Sequence, residues 1–224
     1  MRILLFDVDG TLLLTNGSGT HALGEALEAE FDISEPCVDL DFRGRTDSSL
    51  LRELLQLNGI DVTVQNVSRL SEAYGLRLPD VLHRFGGTVL PGVADLLSRL
   101  ASHKHVAIYV MTGNLHETAT QKLIHFGLHT HFRGIFGGDD DEDRRHLAQR
   151  TVGSLREKYG ADLTNDLIVI GDTPEDVRCG EAIDAHVLAV CTGNFDRSDL
   201  EATGARVVLD DLSDVDAIFR SLVP

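Results

Sequence analysis

RILLFDVDGTL, residues 2–12, runs four apolar residues, Ile3 to Phe6, straight into Asp7 and Asp9, with Gly10 and Thr11 behind. A short, near-continuous apolar run reads as a buried strand. Carboxylates at the end of such a strand are costly unless a cation meets them. Asp7 and Asp9 are two apart, so on a strand their side chains project to the same face. The stretch therefore asks for a positive partner, and the rest of the chain must supply its surroundings.

Outward from this stretch the chain has two textures. From about Thr88 onward, HVAIYVMTG (105–113), GIFGG (134–138), DLIVIGD (166–172), HVLAVCTG (186–193) and RVVLDDL (206–212) read as strands. The stretches VADLLSRLASH, TATQKLIHFG, RRHLAQRTVGSLREKYG and DVRCGEAIDA alternate with them at helical spacing, and Gly127 and Gly160 sit where helices stop. Strand–helix alternation with apolar strands predicts an α/β fold, a Rossmann-like parallel sheet covered by helices on both faces. MRILLFD is one more strand of that sheet. Between about Thr15 and Gly87 the pattern is helical instead (THALGEALEAEF, SSLLRELLQLNG, VQNVSRLSEAYGLRL). The chain thus divides into a catalytic core, 1–15 and 88–224, and an inserted helical domain, 16–87, with Asn16-Gly17-Ser18-Gly19 as its hinge and Pro91-Gly92 marking re-entry.

Composition limits the partners. The 224 residues carry 20 basic and 36 acidic side chains, a formal charge of −16, which argues against nucleic acid or an anionic membrane. No run approaches the ~18 apolar residues of a membrane helix, and nothing resembles a signal peptide, so the expected location is the cytoplasm. Cys37, Cys179 and Cys191 are scattered, without CxxC spacing, and predict neither disulfides nor a zinc knuckle. His125, His129 and His131 lack neighbouring carboxylates or cysteines and read as surface residues. The acidic run DDDED (139–143) lacks EF-hand spacing and reads as a solvated loop. Oligomeric state, monomer or dimer, is open.

In open parallel sheets ligands bind at the C-terminal ends of the strands. Three polar clusters arrive there: Asp7-Val-Asp9-Gly-Thr, Thr112-Gly113-Asn114 and Asp172-Thr-Pro-Glu-Asp176. Asp7, Asp9 and Asp172 crowd one volume and need a cation, and oxygen ligands with room for water and phosphate suit Mg²⁺. Thr112 with the Gly113 and Asn114 amides, at a helix start, forms a phosphate cradle.

DVDGTL (7–12), MTGN (111–114) and GDTPEDV (171–177) resemble motifs of the haloacid dehalogenase-like hydrolases, in particular the phosphatase branch with its phosphoglycolate phosphatase-like and β-phosphoglucomutase-like members. The resemblance implies that Asp7 is a nucleophile forming an aspartyl-phosphate and that Asp9 is the general acid and then base. It implies Mg²⁺ held by the Asp7 side chain, the Asp9 carbonyl and Asp172, with Asp176 ordering that site. It also implies a helical cap over the active site and a small phosphorylated metabolite as substrate. The sequence departs from the family where a lysine normally follows GIFGG. Arg144, in preference to Arg145, is the expected substitute, and Lys122 ranks lower because it lies within a helix. In the cap, Arg43 and Arg45 of FRGRTDSS either reach an anionic substrate or sit in an ordinary solvated turn. His21 reads as a helix-face residue. The expected function is a Mg²⁺-dependent phosphatase acting on a small monoester; a phosphomutase and a non-catalytic binding protein are the alternatives.

Overall fold

The structure is a computed structural model, and it describes residues 1–160, 162–163 and 166–223. Strands β1 (Arg2–Phe6), β4 (Val106–Met111), β5 (Ile135–Phe136), β6 (Leu167–Gly171), β7 (His186–Val190) and β8 (Val207–Leu209) form a six-stranded sheet in the order β5-β4-β1-β6-β7-β8. Every pairing in it is parallel. The fold is α/β and Rossmann-like, as the alternation predicts. The strands are shorter than the apolar runs suggest, and GIFGG contributes only two paired residues, because the glycines and polar ends leave the ladder to make the loops of the site.

Period-2 alternation sorts the strand residues between two cores. Leu4, Phe6, Ile108, Val110, Ile168 and Ile170 face α4 (Val93–Ser102) and α9 (Val215–Leu222). Ile3, Leu5, Ala107, Tyr109, Leu167 and Val169 face α6 (Arg144–Tyr159) and α7 (Pro174–Ala182). Helices α5 (His116–His125) and α8 (Arg197–Ala202) complete the order after β4 and β7. β1 lies between β4 and β6, so the connections leave it in opposite directions, and a crevice opens beyond its C-terminal end.

Between β1 and β4 the chain departs through β2 (Leu13–Leu14) and returns through β3 (Thr88–Val89), which pair antiparallel as a two-stranded ribbon. Asn16 Nδ2 donates to the Phe85 carbonyl at 3.1 Å and ties the same two crossings together. Between them stand α1 (Ser18–Phe31), α2 (Asp47–Leu57) and α3 (Val64–Phe85). Their core contains Leu27, Leu51, Leu54, Leu55, Leu70 and Leu78, with Leu115 and Phe126 reaching in from the sheet side. Each such leucine contributes roughly 1.5–3 kcal/mol by burial.

Two expectations for this insert change. The backbone turns at Asn16 (φ 50°) and Gly17 (φ 79°), whereas Ser18 and Gly19 already belong to α1, so only two of the four residues expected as a hinge lie outside the helix. Helix α3 does not stop before Pro79 but continues to Phe85. A proline within a helix frees the carbonyl four residues earlier, and that carbonyl, of Gly75, accepts from Gln121 Nε2 of α5 at 2.9 Å.

Candidate active site

β1 ends at Phe6, and the two carboxylates that follow part company. Asp7 is buried against the end of β6, its N–H donating to the Ile170 carbonyl at 2.9 Å. Gly10 then turns the chain with φ 82°, so strand periodicity no longer governs Asp9. A side chain at Gly10 would also collide with Asp172, whose Oδ2 lies 2.4 Å from where a Cβ would stand. Asp172, at the end of β6, accepts from Thr11 Oγ1 at 2.9 Å. Asp176 sits one helical turn on, in a capping box with Thr173 that opens α7. Asp7, Asp172 and Asp176 each bring a carboxylate oxygen within 4.8 Å of the others.

Three buried carboxylates this close cannot all ionise without compensation. Burial drives Asp7 up to about 7, with Arg144 opposing and Asp176 and Asp9 adding to the rise. Burial, then Asp176 and Asp7, pushes Asp172 up as well. Arg144, the first residue of α6, is the buried counter-charge: Nη2 donates to Asp176 Oδ1 at 2.5 Å and lies 3.4 Å from Asp7 Oδ1. Burial lowers its pKa, but Asp7 and Asp176 outweigh that and raise it overall. Arg145 points away and pairs with Asp143 at 2.9 Å, exposed.

Asp9 faces the other way. Its Oδ2 accepts from Lys122 Nζ at 2.6 Å and from Asn114 Nδ2 at 2.8 Å. Lys122 Nζ also donates to Asn114 Oδ1 at 2.5 Å, and Asn114 Nδ2 to Thr112 Oγ1 at 2.9 Å. The Thr112-Gly113-Asn114 loop is thereby wired to Asp9 through a lysine from the middle of α5. The expected crowding of Asp9 with Asp7 and Asp172 is corrected: the Asp9 side chain stands apart from that cluster.

The helical insert closes the crevice from above. The Asp47 N–H donates to the Gly113 carbonyl at 2.7 Å, and the Ser48 N–H to that of Gly138 at 3.4 Å. In return, Asp47 Oδ2 accepts from the Leu115 N–H at 2.9 Å and from Thr118 Oγ1 at 3.4 Å. Leu115 precedes α5 and has no capping side chain of its own; Asp47 takes its N–H and Asp139 that of His116, both from other parts of the fold. A Cβ at Gly113 would stand 2.0 Å from the Arg45 carbonyl, so the backbones meet directly there. Beneath this contact lies a cavity of about 480 Å³, lined by the carboxylates, by Arg43, Arg45, Lys122 and Arg144, and by apolar side chains of the insert.

A family model described as haloacid dehalogenase-like hydrolase matches residues 1–184. The chain belongs to the haloacid dehalogenase-like hydrolases. It is an enzyme of that hydrolase family. Among solved structures, a hydrolase from Pseudomonas syringae is 24% identical over 100% of both chains, with TM-score 0.72. A protein described as a predicted phosphoglycolate phosphatase from Haemophilus somnus 129pt is 17% identical over 97% of both chains, with TM-score 0.75. CbbY from Rhodobacter sphaeroides, solved in complex with phosphate, is 17% identical over 96% of both chains, with TM-score 0.74. No curated protein matches this chain in sequence.

Divalent metals are general in haloacid dehalogenase-like hydrolases, and the residues here fit one. Asp7 Oδ1 is buried and accepts no hydrogen bond. Asp172 directs one oxygen to Thr11 and keeps the other toward Gly10. Both oxygens of Asp176 are already engaged, by Arg144 and by Thr173. A hard-oxygen donor set with unsatisfied charge is what a small divalent cation neutralises.

Other expectations also change. The acidic run is not simply solvated: Asp139 accepts from the His116 N–H, Asp141 is buried on Arg150 at 2.6 Å, and Asp143 caps α6. Arg43 and Arg45 line the cavity, each held by a carboxylate: Arg43 by Asp41 at 2.8 Å, Arg45 by Glu53 at 2.6 Å. His21 stacks on Phe85 at 4.1 Å. His125 meets His83 and Phe126. Sequence alone ranks Lys122 too low and misses Asp47. Lys122 carries a signal, since it shares the buried face of α5 with Thr118, Ala119 and Leu123, where a lysine needs a partner. Asp47 carries none beyond its place at a helix start, because its partners lie in α5.

Proposed function

We propose that this hydrolase is a Mg²⁺-dependent phosphatase that cleaves a small phosphate monoester through an aspartyl-phosphate at Asp7. The observation that supports this most is Asp7, a buried carboxylate at the cavity wall beside Arg144 whose Oδ1 accepts no hydrogen bond. Such a carboxylate can meet a cation with one oxygen and phosphorus with the other. In this reading Asp7 and Asp172 hold the metal, with the Asp9 carbonyl as the family resemblance implies, and Asp176 fixes Arg144 beside it. Bound there, Mg²⁺ would supply charge that lets two anions meet and that stabilises the transferring phosphoryl group.

The protein's own groups divide the remaining work. Asp7 attacks phosphorus, and the bond from phosphorus to the leaving oxygen breaks. Asp9 delivers a proton to that oxygen, held for the transfer by Lys122 and Asn114. Water then attacks the aspartyl-phosphate, Asp9 takes its proton, and inorganic phosphate leaves with the Asp7 carboxylate restored. Arg144, Thr112 and the amides of Gly113 and Asn114 meet the phosphoryl oxygens. Residues 16–87 act as a cap domain on a core of 1–15 and 88–224, excluding bulk water when Asp47 clasps α5.

Hydrolysis of p-nitrophenyl phosphate tests this. Wild type should release p-nitrophenol with Mg²⁺ and stop with EDTA. Asp7→Asn should lose roughly 10⁴-fold or more in kcat while keeping its circular dichroism spectrum. Undiminished turnover in Asp7→Asn would remove the nucleophile assignment.

A further inference from the structure

Resting on the phosphatase reading, we propose that the leaving group accepted by this cavity bears no second anionic group, being an uncharged, partly apolar alcohol esterified to a single phosphate. Every cation lining the cavity already has a carboxylate partner among the described residues. Arg144 is held by Asp176 and faces Asp7, and Lys122 is held by Asp9. Arg43 makes a two-pronged pair with Asp41, at 2.8 and 2.9 Å, and its guanidinium also lies 5.3 Å from the centre of the Phe195 ring. Arg45 is held by Glu53, with Ser49 Oγ at 3.5 Å.

The charge around the reaction centre runs the other way. Asp7, Asp9, Asp47 and Asp172 line the cavity, with Asp176 clustered behind Asp7 and Asp172, and Lys122 and Arg144 are each paired to one of these carboxylates. A divalent metal and the phosphate of one monoester bring equal and opposite charge and leave that excess in place. A carboxylate or second phosphate on the substrate would add to it. Such a group would have to draw Arg43 or Arg45 away from its partner, Asp41 or Glu53. The insert contributes Leu23, Phe42, Leu50 and Tyr74 to the cavity wall, with Thr20 as a neutral polar group. Apolar walls with neutral hydrogen-bonding groups recognise an uncharged alcohol. This separates the chain from the neighbouring fold of CbbY, a variant of which is solved with xylulose-1,5-bisphosphate.

The test uses two matched pairs of esters: 2-phosphoglycolate against 2-hydroxyethyl phosphate, and glucose 1,6-bisphosphate against glucose 1-phosphate. Their binding is measured by calorimetry on Asp7→Asn protein with Mg²⁺, and phosphate release is measured on wild type. The uncharged member of each pair should bind about tenfold or more tightly, because like-charge juxtaposition is costly. Asp41→Asn combined with Glu53→Gln, which frees both cap arginines, should move that ratio toward the charged member by about tenfold. Equal or tighter binding of phosphoglycolate or the bisphosphate overturns the inference, and so does an unchanged ratio in the double variant or no binding of any ester. Preserved preference in binding, with no phosphate released by wild type from any ester, overturns the phosphatase reading instead and leaves the charge selection standing.

Discussion

Two buried cations stand on opposite sides of the site, and their surroundings differ. Arg144 faces Asp176 and Asp7 in a dry setting, where the side chains are 5%, 1% and 7% exposed. Lys122 is equally buried, but its carboxylate partner Asp9 is 40% exposed, toward the cavity. The first pair sits at the cluster that fits a metal, where the proposed mechanism needs charge held still on Asp7. The second keeps a carboxylate open to the cavity while fixing where it points. Burial on one side and access on the other separates the two aspartates of a single motif, and the proposed mechanism gives the first a fixed role and the second a proton-exchanging one.

Breaking the dry side should cost most. Arg144→Met leaves Asp176 and Asp7 without their counter-charge, and removing one partner of a buried pair typically costs about 3–5 kcal/mol. Urea unfolding should show that loss, together with a fall in kcat of roughly 10³-fold. Lys122→Met should fall less, roughly 10²-fold in kcat, with a smaller stability loss because cavity water can solvate Asp9. If the two variants lost the same stability, the contrast between the dry and open sides would be wrong.

The smallest effect concerns the clasp. Loss of solvent raises Asp47 from 3.8 to about 6, opposed by Lys122 and the Leu115 N–H, with Asp9 adding to the rise and Thr118 opposing it. Tyr74 of α3 faces the same carboxylate. A carboxyl raised in the folded state contributes stability that is fully present below its unfolded pKa and is lost as pH rises through the folded one. Asp47 should therefore cost the protein about 2–3 kcal/mol between pH 4 and pH 6. Asp47→Asn should flatten stability over that window, measured by urea unfolding at intervals of pH. An unaltered profile would place the pH dependence elsewhere.

Much of this was legible because the sheet is made of short β-branched runs and each of its central strands ends in a recognisable polar cluster. Asp7, Thr112, Asp172 and Arg144 converge because parallel strands deliver their C-terminal ends to one edge. Asp9 was misplaced in its details, since strand periodicity was carried past Phe6 into a turn made by Gly10. The continuation of α3 through Pro79 depends on Gln121, in another element, receiving the freed Gly75 carbonyl. The same holds for Asp47, whose meaning comes from the Leu115 N–H and the Thr118 hydroxyl at the start of α5. Local pattern reveals what a residue prefers, whereas these residues are defined by partners that only the tertiary fold supplies.

The central claim is covalent, so the most direct measurement looks for the bond. Wild-type enzyme is mixed with a phosphate monoester and Mg²⁺, then quenched with borohydride, which reduces an acyl phosphate to an alcohol. Peptide mass spectrometry should find homoserine at position 7 in place of Asp7, and only when the ester was present. Asp7 recovered intact during active turnover, or homoserine at another aspartate, would contradict the account.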